Sequence, residues 1–169
     1  GLFLLYAARE LKTPELREAA IRYGKVLLSR GRKTTSGIEW PMDAKFPRLM
    51  PNFSHGTAGV AYFLASLALE TKDPAFREAA IAGGNHLRSI AKAEGDRCLI
   101  HHHTPGGEEL FYLGWCHGPP GTARLFYRLF QLTGDAAWMN VVKQSANAIL
   151  DSGIPEKRTP GFWNNVGQC

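Results

Sequence analysis

Cys116 and His117 stand side by side in "GWCHGPPGTARLFYRL" (114–129). A thiol beside an imidazole can be a packed core group, a nucleophile with its base, or half of a metal site. The stretch "SHGTAGV" (54–60) repeats the pattern, with Ser54 in the place of the thiol and His55 in the place of His117. Cys169 follows 53 residues after Cys116, where a further copy would begin. On this register Ser54, Cys116 and Cys169 occupy one position in successive units. Two thiolates from neighbouring helix N-termini, with a histidine nearby, suit Zn²⁺, which takes Cys and His ligands tetrahedrally. Small cysteines packed beneath a loop remain the alternative.

The elements that would position these residues come from an internal repeat. Shifting the chain by 60 residues lays "FLLYAARELKTPELREAAI" (3–21) on "FLASLALETKDPAFREAAI" (63–81). A further shift of 62 lays His55, Gly56, Gly59, Ala61, Leu67, Thr71 and Asp73 on His117, Gly118, Gly121, Ala123, Leu129, Thr133 and Asp135. Repeat units are expected over about 1–53, 54–115 and 116–168. Each unit predicts two helices. The first, as in 59–70, is apolar almost all round and therefore buried on several sides. The second opens at a capping residue, Thr13, Asp73 or Asp135. It carries an apolar stripe: Leu16, Ala20, Tyr23 and Leu27, then Phe76, Ala80, Gly83 and Leu87, then Trp138, Val142, Ser145 and Ile149.

A buried helix followed by an amphipathic one, repeated, predicts an all-α chain arranged as an α/α toroid, a double ring of helical hairpins around a central cavity. A solenoid of hairpins competes, but its repeats run to roughly 34–47 residues. Residues 31–54 and 92–115 are long for connections and read as working loops gathered at one mouth.

Composition narrows the function classes. The 169 residues are 44% hydrophobic and 21% charged, enough for one globular core. The net charge of +5 is spread along the chain without a polybasic run, which argues against nucleic-acid binding. The apolar start "GLFLLYAARELK" is shorter than the ~20 residues that span a bilayer, so no integral membrane segment is expected. Three cysteines, Cys98, Cys116 and Cys169, favour a reducing compartment, the cytoplasm, over a disulfide framework. Both ends read as cut, and the oligomeric state is not legible.

Together "SHGTAGV", "GWCHGPPGTARLFYRL" and "TPGFWNNVGQC" resemble the motifs of the lanthionine synthetase C-like family, cyclases that close thioether rings in peptides and their stand-alone relatives. The resemblance implies an α/α toroid of seven hairpins, of which this chain would hold about three. It also implies zinc held by Cys116 and Cys169, with a third ligand immediately past residue 169, and an acid–base role for His55 that His117 assists. The implied chemistry is addition of an activated cysteine thiol to a dehydroamino acid, with a histidine returning the proton. The sequence departs from the cyclases at Tyr112, where they place an arginine.

Other features read more simply. The tract His101-His102-His103 lies outside the repeat register and is expected to be a solvated loop, Cys98 an incidental packed thiol, and Glu108-Glu109 a solvated pair rather than the opposed carboxylates of a glycosidase. Trp115, Phe162 and Trp163 would wall the cavity or pack in the core. Three readings of function result. They are a zinc-dependent thioether-forming enzyme acting on a peptide, a non-catalytic zinc toroid that binds peptide or glutathione, and, more distantly, a glycosidase-like toroid.

Overall fold

The computed structural model describes residues 1–43, 45–154 and 156, so Cys169, Phe162 and Trp163 lie outside the described residues. Among them are six helices: α1 (Leu2–Leu11), α2 (Pro14–Arg30), α3 (Thr57–Thr71), α4 (Pro74–Ile90), α5 (Pro119–Thr133) and α6 (Ala136–Leu150). The chain is all-α, built as three hairpins, α1–α2, α3–α4 and α5–α6. An inner layer runs α1, α3, α5 and an outer layer α2, α4, α6. The central inner helix α3 is enclosed as its sequence predicts, with Ala58, Ala61, Leu64, Ala65 and Leu67 fully buried.

The repeat is visible in the packing. Gly24 of α2 lies where an added Cβ would meet Leu67 and Phe76, and Gly84 of α4 lies where one would meet Leu129 and Trp138. Each glycine thus lets an outer helix close onto a leucine of the next inner helix and an aromatic residue of the next outer one. The inner helices also end alike, on left-handed residues Lys12, Lys72 and Gly134 whose N–H groups return to Ala8, Ala68 and Phe130 carbonyls.

Two local expectations need correction. Asp73 and Asp135 accept hydrogen bonds from the Ala75 and Ala137 N–H groups, but Thr13 makes no cap bond, because its hydroxyl donates backwards to the Leu11 carbonyl. Tyr23 was expected in the buried stripe of α2, yet it is exposed, and Gly24 takes the inward position.

The long connections are not plain loops. Each opens with a two-stranded antiparallel hairpin, β1 (Arg32–Lys33) with β2 (Ile38–Glu39), and β3 (Lys92–Glu94) with β4 (Arg97–Leu99). β2 lies on α4 and β4 on α6, so each hairpin braces the following unit. Glu39 sits 2.6 Å from Arg32 and 3.5 Å from His86 of α4, while Asn147 of α6 donates to the Asp96 carbonyl and carboxylate. Among the described residues no helix is long and apolar enough to cross a membrane.

Candidate functional site

The loops after these hairpins turn back over the first turns of α3 and α5, and glycine makes the turn possible. A Cβ on Gly56 would fall 1.5 Å from the Met50 carbonyl oxygen, and one on Gly59 2.1 Å from that of Phe53. In the next unit a Cβ on Gly118 would fall 2.3 Å from the Tyr112 oxygen, and one on Gly121 2.0 Å from that of Trp115. The His-Gly-x-x-Gly spacing is therefore a packing requirement, because it lets two loop carbonyls lie directly on the helix start.

Gly56 and Gly118 are the N-cap residues, so His55 and His117 stand one residue before their helices and Ser54 and Cys116 two before. The equivalence read from the repeat becomes a contact, with the Ser54 N–H donating to the Cys116 carbonyl at 3.1 Å. Cys116 is buried, and the His55 and His117 rings lie 5.4 Å apart. Asn52, fully buried, donates to the carbonyls of both His117 (2.7 Å) and His101 (3.2 Å), tying three loop segments together.

The histidine tract is not the solvated loop expected of it. His101 and His103 are buried, and His102 lies 4.3 Å from His117 and 4.5 Å from Tyr112, ring to ring. His102 and His103 share a contact of 2.7 Å between their Nδ1 atoms. The β3–β4 hairpin and the bridge between Leu49 and Thr104 fold this segment back against the loop that leads into α5, which a repeat comparison does not reveal because the tract has no counterpart in the preceding unit. Tyr112, at the position where the cyclases place an arginine, packs edge-on against His102 within this cluster. The nearby Arg48 contributes positive charge there. Sequence reasoning gave no sign of Arg48, which lies in a loop without a repeat signature.

The electrostatics favour neutral imidazoles. Burial, and then the charges of His117, His103, Arg48 and His55, bring the His102 pKa down to about 4. His117 is lowered by burial first and by His55 second, and its Nδ1 atom is buried without a hydrogen-bond partner. His101 is likewise lowered, chiefly by burial. His55 is exposed and, with Ser54, Phe53 and Trp115, lines a cavity of about 730 Å³ between the mouth and α1. Trp115 thus walls the cavity, packed edge-on to Phe53 at 5.2 Å.

The remaining candidates fall away from this cluster. Cys98 is a buried free thiol whose pKa burial raises, partly offset by Arg88. Glu108 and Glu109 are both exposed, and Glu108 is engaged by the Thr104 hydroxyl and the Gly106 N–H, which leaves no opposed carboxylate pair between them. Among the described residues no group of three or more His, Cys, Asp or Glu side chains is disposed to hold a metal ion. Cys116 is the cysteine at the mouth, and Cys169, its expected companion, lies outside the described residues.

Comparison with known proteins agrees with this arrangement. The family model of lanthionine synthetase C-like proteins matches residues 1–162. No curated protein matches the chain. The chain belongs to the lanthionine synthetase C-like family, and its three hairpins are a fragment of that family's all-α toroid.

Proposed function

We propose that this member of the lanthionine synthetase C-like family adds a thiol to a dehydroamino acid in a peptide, closing a thioether ring, at a zinc site beside His55 and His117. The observation that carries the reading is the convergence of the two repeat-equivalent segments, with the Ser54 N–H hydrogen-bonded to the Cys116 carbonyl and the His117 ring 5.4 Å from His55, which lines the cavity.

The residue types fit Zn²⁺ in kind: Cys116 brings a soft cysteine sulfur to the mouth, and the register assigns Cys169 to the same position one unit on. When bound, Zn²⁺ supplies Lewis acidity that brings a thiol pKa into the neutral range. The protein's own groups handle the protons. His117, kept neutral by burial and by His55, is suited to accept the proton that the thiol loses. The S–C bond then forms at the β-carbon as the alkene electron pair moves toward the carbonyl. His55, exposed to the cavity, delivers a proton to the α-carbon. One proton leaves sulfur and one arrives at carbon, so the peptide keeps its mass. A cytoplasmic, reducing setting is part of the proposal, since the chemistry needs free thiols.

Tyr112 supports a second reading. An aromatic ring packed against His102, in the place of a guanidinium, suits a non-catalytic zinc toroid that binds peptide or glutathione.

Two measurements separate the readings. Elemental analysis of the complete protein, which supplies the ligand expected after Cys169, is expected to find one zinc per molecule, lost in Cys116→Ala. A peptide carrying cysteine and dehydroalanine is expected to lose its alkylatable thiol at unchanged mass, with the rate reduced at least about a hundredfold in His55→Asn. Zinc without ring closure selects the binding reading, and zinc content indifferent to Cys116→Ala removes both.

A further inference from the structure

The inner face of the helices holds a second pocket that the proposed chemistry leaves unused. It encloses about 390 Å³ between α1, α3 and α5 and is lined by Tyr6, Arg9, Tyr62, Ser66, Arg124 and Arg128 among others. Arg124 and Arg128 lie one helical turn apart on one face of α5. Both guanidinium groups sit over the Tyr62 ring, at 5.6 and 4.9 Å from its centroid, and Arg128 donates to the Tyr62 hydroxyl at 2.7 Å.

The cluster carries uncompensated positive charge. Among the described residues neither Arg124 nor Arg128 forms an ion pair with a carboxylate, and the Arg128 Nε atom is buried without a hydrogen-bond partner. The acid in the pocket wall, Glu70, is engaged by Arg17 at 3.2 Å, and Arg9 pairs with Glu10. Burial opposes ionisation of the Tyr62 phenol, yet the hydrogen bonds and charges of Arg128 and Arg124 bring its pKa below the usual phenol value, a sign of how positive the pocket is.

A run of ring contacts links the pocket wall to the site at the mouth. Phe53 touches Trp115 on one side at 5.2 Å and Tyr62 on the other at 5.3 Å, while Arg124 lies 5.5 Å over the Phe53 ring. The arginines thus stand two ring contacts away from the residues that line the His55 cavity. Arginine recognises carboxylate through paired, charge-assisted hydrogen bonds, and it does so best where water is partly excluded.

We infer that the Arg124–Arg128–Tyr62 pocket binds acidic side chains of a peptide, holding them against the inner helices while another part of the peptide occupies the mouth. The inference rests on the proposed function only for the ligand being a peptide. It needs neither the metal nor ring closure.

The test is fluorescence polarisation at low salt on the protein after chelator treatment, with two labelled octapeptides that differ only in a central Glu-Glu or Gln-Gln. The Glu-Glu peptide is expected to bind at least about tenfold tighter, with the preference disappearing in physiological salt multiples. Arg124→Gln is expected to reduce that preference about tenfold without unfolding the protein, since Arg124 is exposed, and Arg128→Gln to reduce it further. Arg77→Gln, an exposed change on the outer helix α4, is expected to leave it intact. Equal binding of the two peptides, or a preference untouched by Arg124→Gln, overturns the assignment. Chelation leaves this readout in place, so failure of the zinc reading and failure of the pocket are seen separately.

Discussion

Replacing Gly59 by alanine tests whether the glycines of the His-Gly-x-x-Gly motif exist to admit loop carbonyls. The new Cβ would stand 2.1 Å from the Phe53 carbonyl oxygen, whereas ordinary contacts begin at 3.4 Å. The oxygen belongs to backbone that leads directly into Ser54, so relief requires the loop to retreat from the helix. Overpacking of this kind costs about 1–3 kcal/mol, and backbone displacement puts Gly59→Ala at the upper end. Alanine returns up to about 1 kcal/mol of helix propensity, less in a first turn. The expected net loss is about 2–3 kcal/mol, or roughly 4–12 °C in Tm for a chain of this size. Gly84→Ala is the matched control. Its Cβ would fall 2.3 Å from the Leu129 Cδ1 methyl and 3.1 Å from the Trp138 ring, both far ends of side chains rather than backbone. Small shifts of the Leu129 and Trp138 side chains relieve this clash without moving backbone, and against the same propensity gain the Tm is expected to fall by less than about 4 °C, less than with Gly59→Ala. Thermal melts followed by circular dichroism measure both. If Gly59→Ala melts with the wild type, or if the two substitutions cost the same, the argument from backbone crowding is wrong.

Three further outcomes follow from the same geometry. Asn52→Ala leaves two loop carbonyls without their donor in a fully buried setting, so a loss of about 2–4 kcal/mol is expected in chemical denaturation, against near-zero if water replaces the amide. Lys72→Gly removes the strain of a left-handed residue at φ 62° and should stabilise by about 1 kcal/mol, while Gly134→Ala should destabilise by a similar amount; equal Tm values for all three proteins would refute this. The folded-state pKa of His102 lies near 4, below its unfolded value, so its contribution is full above the unfolded pKa and is lost as pH falls through about 4. Melts at successive pH values should therefore show stability falling on acidification below about pH 6.5, with a shallower fall in His102→Gln, and an unchanged slope would count against burial of a neutral imidazole.

The hairpins, their caps at Asp73 and Asp135 and the equivalence of Ser54 with Cys116 were legible in the sequence because each repeats, and repetition exposes a residue's role by comparison. What the repeat could not supply was whatever occurs once. The histidine tract has no counterpart, so its burial depends on where the β3–β4 hairpin and the Leu49–Thr104 bridge send the chain, which local pattern does not encode. Tyr23 fails for a related reason. Its spacing fits the stripe, but α2 is the first outer helix, and the residue that must approach Leu67 and Phe76 is the one without a side chain.

That division has a consequence for how the site arises. A packing unit repeated along a chain brings the same register position to the same mouth each time, and the crowding at Gly56, Gly59, Gly118 and Gly121 holds that position rigidly. Changing one side chain there, serine in one unit and cysteine in the next, alters the chemistry offered to the cavity without altering the scaffold. The irregular segments then set what that chemistry can do. His102 and Tyr112 pack against His117, Asn52 ties the three loops, and the arginines of α5 lie about two and three turns on from His117. A variant at Ser54, such as Ser54→Cys, is therefore expected to add a cysteine at the mouth beside the Cys116 backbone with little loss of stability. Metal affinity should rise measurably in a zinc-indicator titration, whereas an unchanged affinity would mean that the two positions share a backbone contact but not a common site.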